Sequence, residues 1–373
     1  YADEHQARFE EEGLLIEEGR TNIVPYSDLS SGWAIAPAQG SNATAPDGSN
    51  DAVELNGGTA GGTGNILATI SSITAPSAGT YFLSFFVKKP SDSIAAFTYL
   101  ETRGFSGSAS GGKLFFDWST KDWSSYTQSN GSAYILPVEE YANGWFRLSI
   151  KSILDAGDLT GSIRAGISDQ AGNTSTGTLS ADNKILVWGA QWEKGSFPTS
   201  YIPTAGSTVT RSADIAQITG DNFSSWYNQS EGTLLFDSAP LSFTSNSGTN
   251  GSSVFISDSY IYNTISVQND TRSGGRGVAA VSASNSTQFN SGAMGSGIKK
   301  RSIALAYQED NFAASTDGIT AVTGTSGSLP VVDRMRIGAY PPTTPDFFVN
   351  SHISRISYYP RRLTDSELQT ITL

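Results

Sequence analysis

The sequence predicts an all-β protein made of two tandem antiparallel β-sandwiches of the jelly-roll type. Three observations carry this. Helical periodicity is nearly absent. Short runs rich in aromatic and β-branched residues recur along the whole chain, with Gly, Ser, Asn and Pro between them. The length, 373 residues, suits two domains rather than one. Many short strands separated by turn signals bury an apolar face only by packing sheet on sheet.

In the first half the strand candidates are Thr80–Val87, Ile94–Leu100, Lys113–Trp118, Gly144–Lys151 and Ile185–Trp192. The run Trp145–Lys151 alternates cleanly. Trp145, Arg147, Ser149 and Lys151 face one way, and Phe146, Leu148 and Ile150 the other. In the second half the candidates are Gly232–Ser238, Ser253–Ser257, Tyr260–Val267, Gly277–Ser282, Arg301–Tyr307, Asn311–Thr316, Arg334–Ala339 and His352–Tyr359. One helical turn is expected at Thr364–Thr370, where Thr364 caps and Glu367 stands three residues on, as a capping box requires. The break between the halves is expected within residues 197–231, a stretch with two prolines and little periodicity, and the boundary near 220. The predicted organisation is an acidic arm (1–18), a first sandwich (19–219) and a second (220–373).

Charge narrows the function. Lys+Arg 23 against Asp+Glu 35 gives −12, which offers no electrostatic footprint for a nucleic-acid backbone. Residues 1–18 hold seven acids and one base, a net −6. Such a run reads as a solvated arm or as a segment that docks on a larger assembly. With no cysteine, disulfides, thiol chemistry and cysteine-bound metals are excluded. No apolar run reaches the roughly 18 residues of a membrane helix, and no signal-peptide pattern is visible. The chain opens on Tyr1 rather than Met, as a fragment or processed product would.

Catalytic motifs are sparse. The two histidines, His5 and His352, cannot make a His-rich metal site, and His352 reads as an ordinary edge residue. No Gly-x-Ser-x-Gly elbow occurs. The Gly57–Gly64 stretch lacks the Lys-Ser/Thr ending of a phosphate loop. Glycoside hydrolysis needs only two carboxylates, and Glu101, Asp117, Asp122, Glu139, Glu140, Asp155 and Asp158 are candidates. None forms a closely spaced array on one strand, so the chain reads as no enzyme. The loops Asp47–Asp51 and Asp155–Asp158 offer oxygen ligands for a structural calcium, and equally they are plain turn formers. Exposed aromatic rings with a polar rim can stack a sugar face. Trp118, Trp123 and Tyr126 are the candidate glycan platform, with Trp226 and Tyr227 as a second cluster, whereas Trp145, Phe146 and Trp188 read as core.

Two stretches carry a family resemblance. Glu12–Ser27, followed by the Trp33 segment, resembles the start of carbohydrate-binding-module-like sandwiches in tailed-phage structural proteins, and Val187–Asp214 resembles their end. Gly232–Ser238, Ser302–Gly318 and Ile353–Leu368 resemble the laminin-G, concanavalin-A-like sandwich that often follows. The resemblance implies a capsid or tail fibre subunit at the virion surface, homotrimeric, contacting other virion proteins and gripping host-surface glycans in lectin-like fashion. It implies structural roles for Arg20 and Asn22 at the first domain's opening turn and for Arg211 and Asp214 at its close. Fold alone does not decide function. A purely structural decoration protein, a polysaccharide depolymerase and a secreted adhesin stay open as rivals.

Overall fold

The computed structural model describes residues 7–36, 38–39, 42–57, 66–106, 111–127, 134–172, 179–195, 197–240, 252–258, 262–270, 275–297, 299–338 and 351–373. His5, most of Gly57–Gly64 and the side chain of Tyr126 lie outside that description. The chain divides into two compact units. One is Arg20–Arg211, and the other joins Tyr1–Gly19 to Ser212–Leu373. Both are antiparallel β-sandwiches, as periodicity and composition predict.

In the unit Arg20–Arg211, one sheet runs in the order Asp122–Thr127, Gly112–Asp117, Phe97–Arg103, Thr160–Ser168, Ile66–Thr74, Ala34–Ala36. The facing sheet runs Tyr134–Ile135, Trp145–Leu154, Gly79–Lys88, Lys184–Lys194, Val53–Asn56, Ala38–Gln39. Phe146, Leu148 and Ile150 enter the core between the sheets, as their alternation predicts. The opposite face is also covered: Trp145, Trp188, Phe86 and Tyr201 form a second, smaller core on it.

The strand Lys184–Lys194 shows how one residue redirects the pattern. Ile185 and Val187 face the main core, and strict alternation would send Trp188 and Trp192 to one shared face. The ladder slips between Trp188 and Gln191, and Gly189 sits at φ +65°. This bulge turns Trp192 into the main core and leaves Trp188 in the outer one. A side chain at Gly189 would stand 2.8 Å from the Phe86 ring.

In the other unit, one sheet runs Arg8–Glu10, Gly13–Ile16, Ser351–Tyr359, Glu231–Pro240, Arg301–Gln308, Asn311–Thr316, Val322–Gly324. The other runs Ala216–Thr219, Arg334–Ile337, Ser252–Ser257, Thr264–Asp270, Arg276–Ala283, Ser286–Asn290. Ile303, Leu305 and Tyr307 point into the sandwich, and Ala304 and Ala306 point out. These alanines, with Ala313 and Leu235, lie under Leu363 and Leu368. The helix Asp365–Ile371 therefore closes down on a face of small side chains, with the predicted Thr364–Glu367 capping box formed.

Two expectations about organisation are replaced. The acidic arm is not separate: from Arg8 onward it is a hairpin added to the edge of the Ser351–Tyr359 strand. Arg8 pairs with Glu17 and Asp214, and Asp214 also accepts the Glu17 backbone N–H at 2.8 Å. Asp214, 206 residues from Arg8 and 197 from Glu17, thus fixes a segment that looks like an isolated charge run. The change of unit falls at 211/212, inside the 197–231 stretch but short of the boundary expected near 220.

Candidate functional site

The segment at residues 197–204 lies as an irregular strap within the unit Arg20–Arg211, with Phe197, Thr199, Tyr201, Ile202 and Thr204 all buried. A buried non-ladder backbone needs other hydrogen-bond partners, and side chains supply them. Glu193 accepts the Thr199 N–H and hydroxyl, each at 2.7 Å. Gln191 accepts the Ile202 N–H at 2.7 Å, and Arg147 donates to the Thr199 carbonyl at 2.6 Å. Asn22 donates to the Ile202 and Ala190 carbonyls and accepts the N–H groups of Val24 and Trp192. Arg20 stands 3.8 Å from Glu193 and over the Phe197 ring. Gly195 lets it in, since a Cβ there would fall 2.1 Å from the guanidinium carbon. Burial pushes the Glu193 carboxyl up, while the Thr199 bonds and the two guanidiniums pull it back. Arg211 pairs with Arg20 across a short two-stranded ladder.

The structure places the candidate tryptophans at the edge of the first core. Trp118 is half-buried, donates its indole N–H to Thr98 Oγ1 at 2.9 Å, and packs on Phe116 and Phe146. Trp123 is half-buried, donates to the Leu136 carbonyl at 2.8 Å, and packs on Phe116. Tyr126 lies in the same strand, its backbone paired with Leu114. Trp226 and Tyr227 join Phe223 and Tyr358 in a ring cluster, with the Trp226 N–H on the Asn222 carbonyl.

The candidate carboxylates have local partners. Glu101 lies 3.5 Å from both Lys113 and Arg164. Asp117 accepts from Ser119, and Asp122 from the Trp123 N–H. Glu140 meets Lys121, and Glu139 accepts the Tyr141 hydroxyl. Asp47 and Asp158 close turns on Ser49 and Thr160. Among the described residues, Glu10, Glu12 and His352 are the one trio whose donor atoms gather as a metal site would require.

Sequence reasoning missed a shallow cleft of about 250 Å³ beside the C-terminal helix, lined by Tyr359, Arg361, Leu363, Ser366, Glu367, Thr370 and Ile371. Tyr359, Leu363 and Ile371 supply apolar surface, and Arg361 and Glu367 a charged rim. Arg361 grips Glu367 through both guanidinium nitrogens, at 2.9 and 3.4 Å. Glu367 is held on its other side by the Thr364 N–H at 2.7 Å. Arg361 first, then the Thr364 cap, holds the Glu367 carboxyl down from its ordinary value near 4.5 to about 2. The signal was present in Tyr359-Pro-Arg361 and in the capping box, but nothing local says that Tyr359 and Ile371 border one cleft. An apolar floor with a preorganised donor–acceptor pair at its rim can bind a small polyhydroxylated ring.

No family model matches the chain, and no curated protein matches it. Solved structures do match. A native heptameric SAP-like pentraxin from Limulus polyphemus is 11% identical, TM-score 0.29, covering 38% of this chain and 69% of its own. Domains LG4-5 of the mouse laminin alpha1 chain are 12% identical, TM-score 0.27, covering 89% of this chain and 94% of theirs. The LG1-3 region of the laminin alpha2 chain is 10% identical, TM-score 0.29, covering 84% and 66%.

Proposed function

We propose that the chain is a non-catalytic glycan-binding protein whose site is the cleft at Tyr359, Arg361 and Glu367. The observation that carries this is the cleft's construction. The Arg361–Glu367 pair is held in place by the capping box, so its exposed donors and acceptors need little ordering when hydroxyls arrive. Tyr359 offers apolar ring surface beside them. The site is shallow and suits weak, repeated contact, which gains from many copies on one particle. The resemblance to tailed-phage structural proteins supports the setting: a fibre or decoration subunit on a virion surface, assembled as a homotrimer with other virion proteins and adhering to host glycan.

The test is glycan-array binding of the full chain alongside Tyr359→Ala, Arg361→Gln and Trp123→Ala. Loss in the first two, with Trp123→Ala unaffected, is the expected result. Loss in Trp123→Ala alone moves the site to the first sandwich. No binding by a folded chain favours the decoration reading, and release of reducing ends from a polysaccharide favours the depolymerase. Light scattering tests the trimer, with a monomeric mass as the contrary result.

A further inference from the structure

The hairpin made by Arg8–Glu10 and Gly13–Ile16 sets its acidic tip beside the strand Ser351–Tyr359. Leu15 pairs with His352 in that ladder. Glu10, Glu12 and His352 each bring one donor atom to a common point, all within 4.8 Å of one another. His352 Nε2 lies 2.8 Å from Glu10 Oε2. The sequence separation of 342 residues explains why no local motif announces the group.

Two further observations point to a ligand. The His352 side chain is only 11% exposed, and outside this trio its ring makes no hydrogen bond among the described residues. A nearly buried imidazole is thus aimed at two carboxylates. The local charge is also unbalanced. Glu10, Glu11 and Glu12 crowd the tip, while Arg8 is committed to Glu17 and Asp214, and Arg355 to Asp237. A divalent cation between carboxylates this close would gain attraction from both.

The donor set selects the cation. An imidazole nitrogen with two carboxylate oxygens suits zinc or a similar borderline divalent metal, whereas calcium and magnesium favour all-oxygen shells. We infer that Glu10, Glu12 and His352 form a divalent transition-metal site that clips the N-terminal hairpin to the sheet edge, with water completing the shell. Zinc bonds of about 2.0–2.2 Å set tetrahedral donors roughly 3.4 Å apart. The Glu10–His352 contact would open slightly, and the exposed Glu12 would swing inward from the hairpin turn.

The experiment titrates the chelator-treated full chain with zinc by calorimetry and repeats thermal unfolding with zinc, calcium and EDTA. The expected result is one bound zinc and a melting temperature that rises with zinc but not with calcium. His352→Gln and Glu12→Gln should each weaken zinc binding about tenfold or more, while both variants melt in EDTA as the parent does in EDTA. Glu12 is exposed and makes no side-chain hydrogen bond or ion pair among the described residues, so its variant tests the site with little effect on the fold. No zinc binding by the parent, or undiminished binding in either variant, overturns the inference.

Discussion

The two sandwiches cover an outer sheet face by opposite means. In the unit Arg20–Arg211 the cover is an irregular strap, and buried side chains must satisfy its backbone: Glu193, Gln191, Arg147 and Asn22. In the other unit the cover is the helix Asp365–Ile371, which satisfies most of its own backbone and asks only for an apolar floor and a cap. A strap held by a buried polar network fails as a whole when one member is lost, because the remaining groups are left buried and unpaired. A capped helix should weaken in proportion to what is removed.

The sharpest way to break this contrast is Glu193→Ala. It strips Thr199 of its acceptor and leaves guanidinium groups without their buried counter-charge, so a loss of about 3–5 kcal/mol is expected. Denaturant unfolding measures it, and a loss below about 1 kcal/mol would remove the network from its assigned role. Next is Leu368→Ala, which empties a fully buried site over Ala304 and Ala313. About 2–4 kcal/mol should go, by the same measurement. Thr364→Ala removes only the cap and should cost about 1 kcal/mol.

The smallest effect sharpens the second half of the comparison. Glu367 titrates lower in the folded chain than its ordinary value. Its contribution is therefore complete above about pH 4.5 and is lost as pH falls toward about 2. Glu367→Gln should flatten the stability profile of the C-terminal sandwich across that window. An unchanged profile would mean that Arg361 does not hold the carboxylate in solution.

Much of this was legible locally. Asn311–Thr316 is a strand at its predicted bounds, and the other strand candidates correspond to strands shifted by a few residues. Alternation placed Phe146, Leu148 and Ile150 on the core side. The capping box followed from Thr364 and Glu367 alone, because its geometry spans four residues. Ile66–Thr74 and Thr160–Ser168 were missed, since Thr, Ser and Gly dilute their apolar pattern.

The sequence by itself determined the fold class, the longer strands with clear alternation and the C-terminal helical turn, since period-2 patterning and turn chemistry act over a few residues. Only the tertiary structure decided that residues 8–16 belong with a strand more than 330 residues away, that the proline-bearing segment after Lys194 is a buried strap, and that Tyr359 and Ile371 border one cleft. Those outcomes depend on which edges and faces remain open once the sheets have formed. Charge, proline content and aromatic spacing do not encode that, because they are blind to partners distant in the chain.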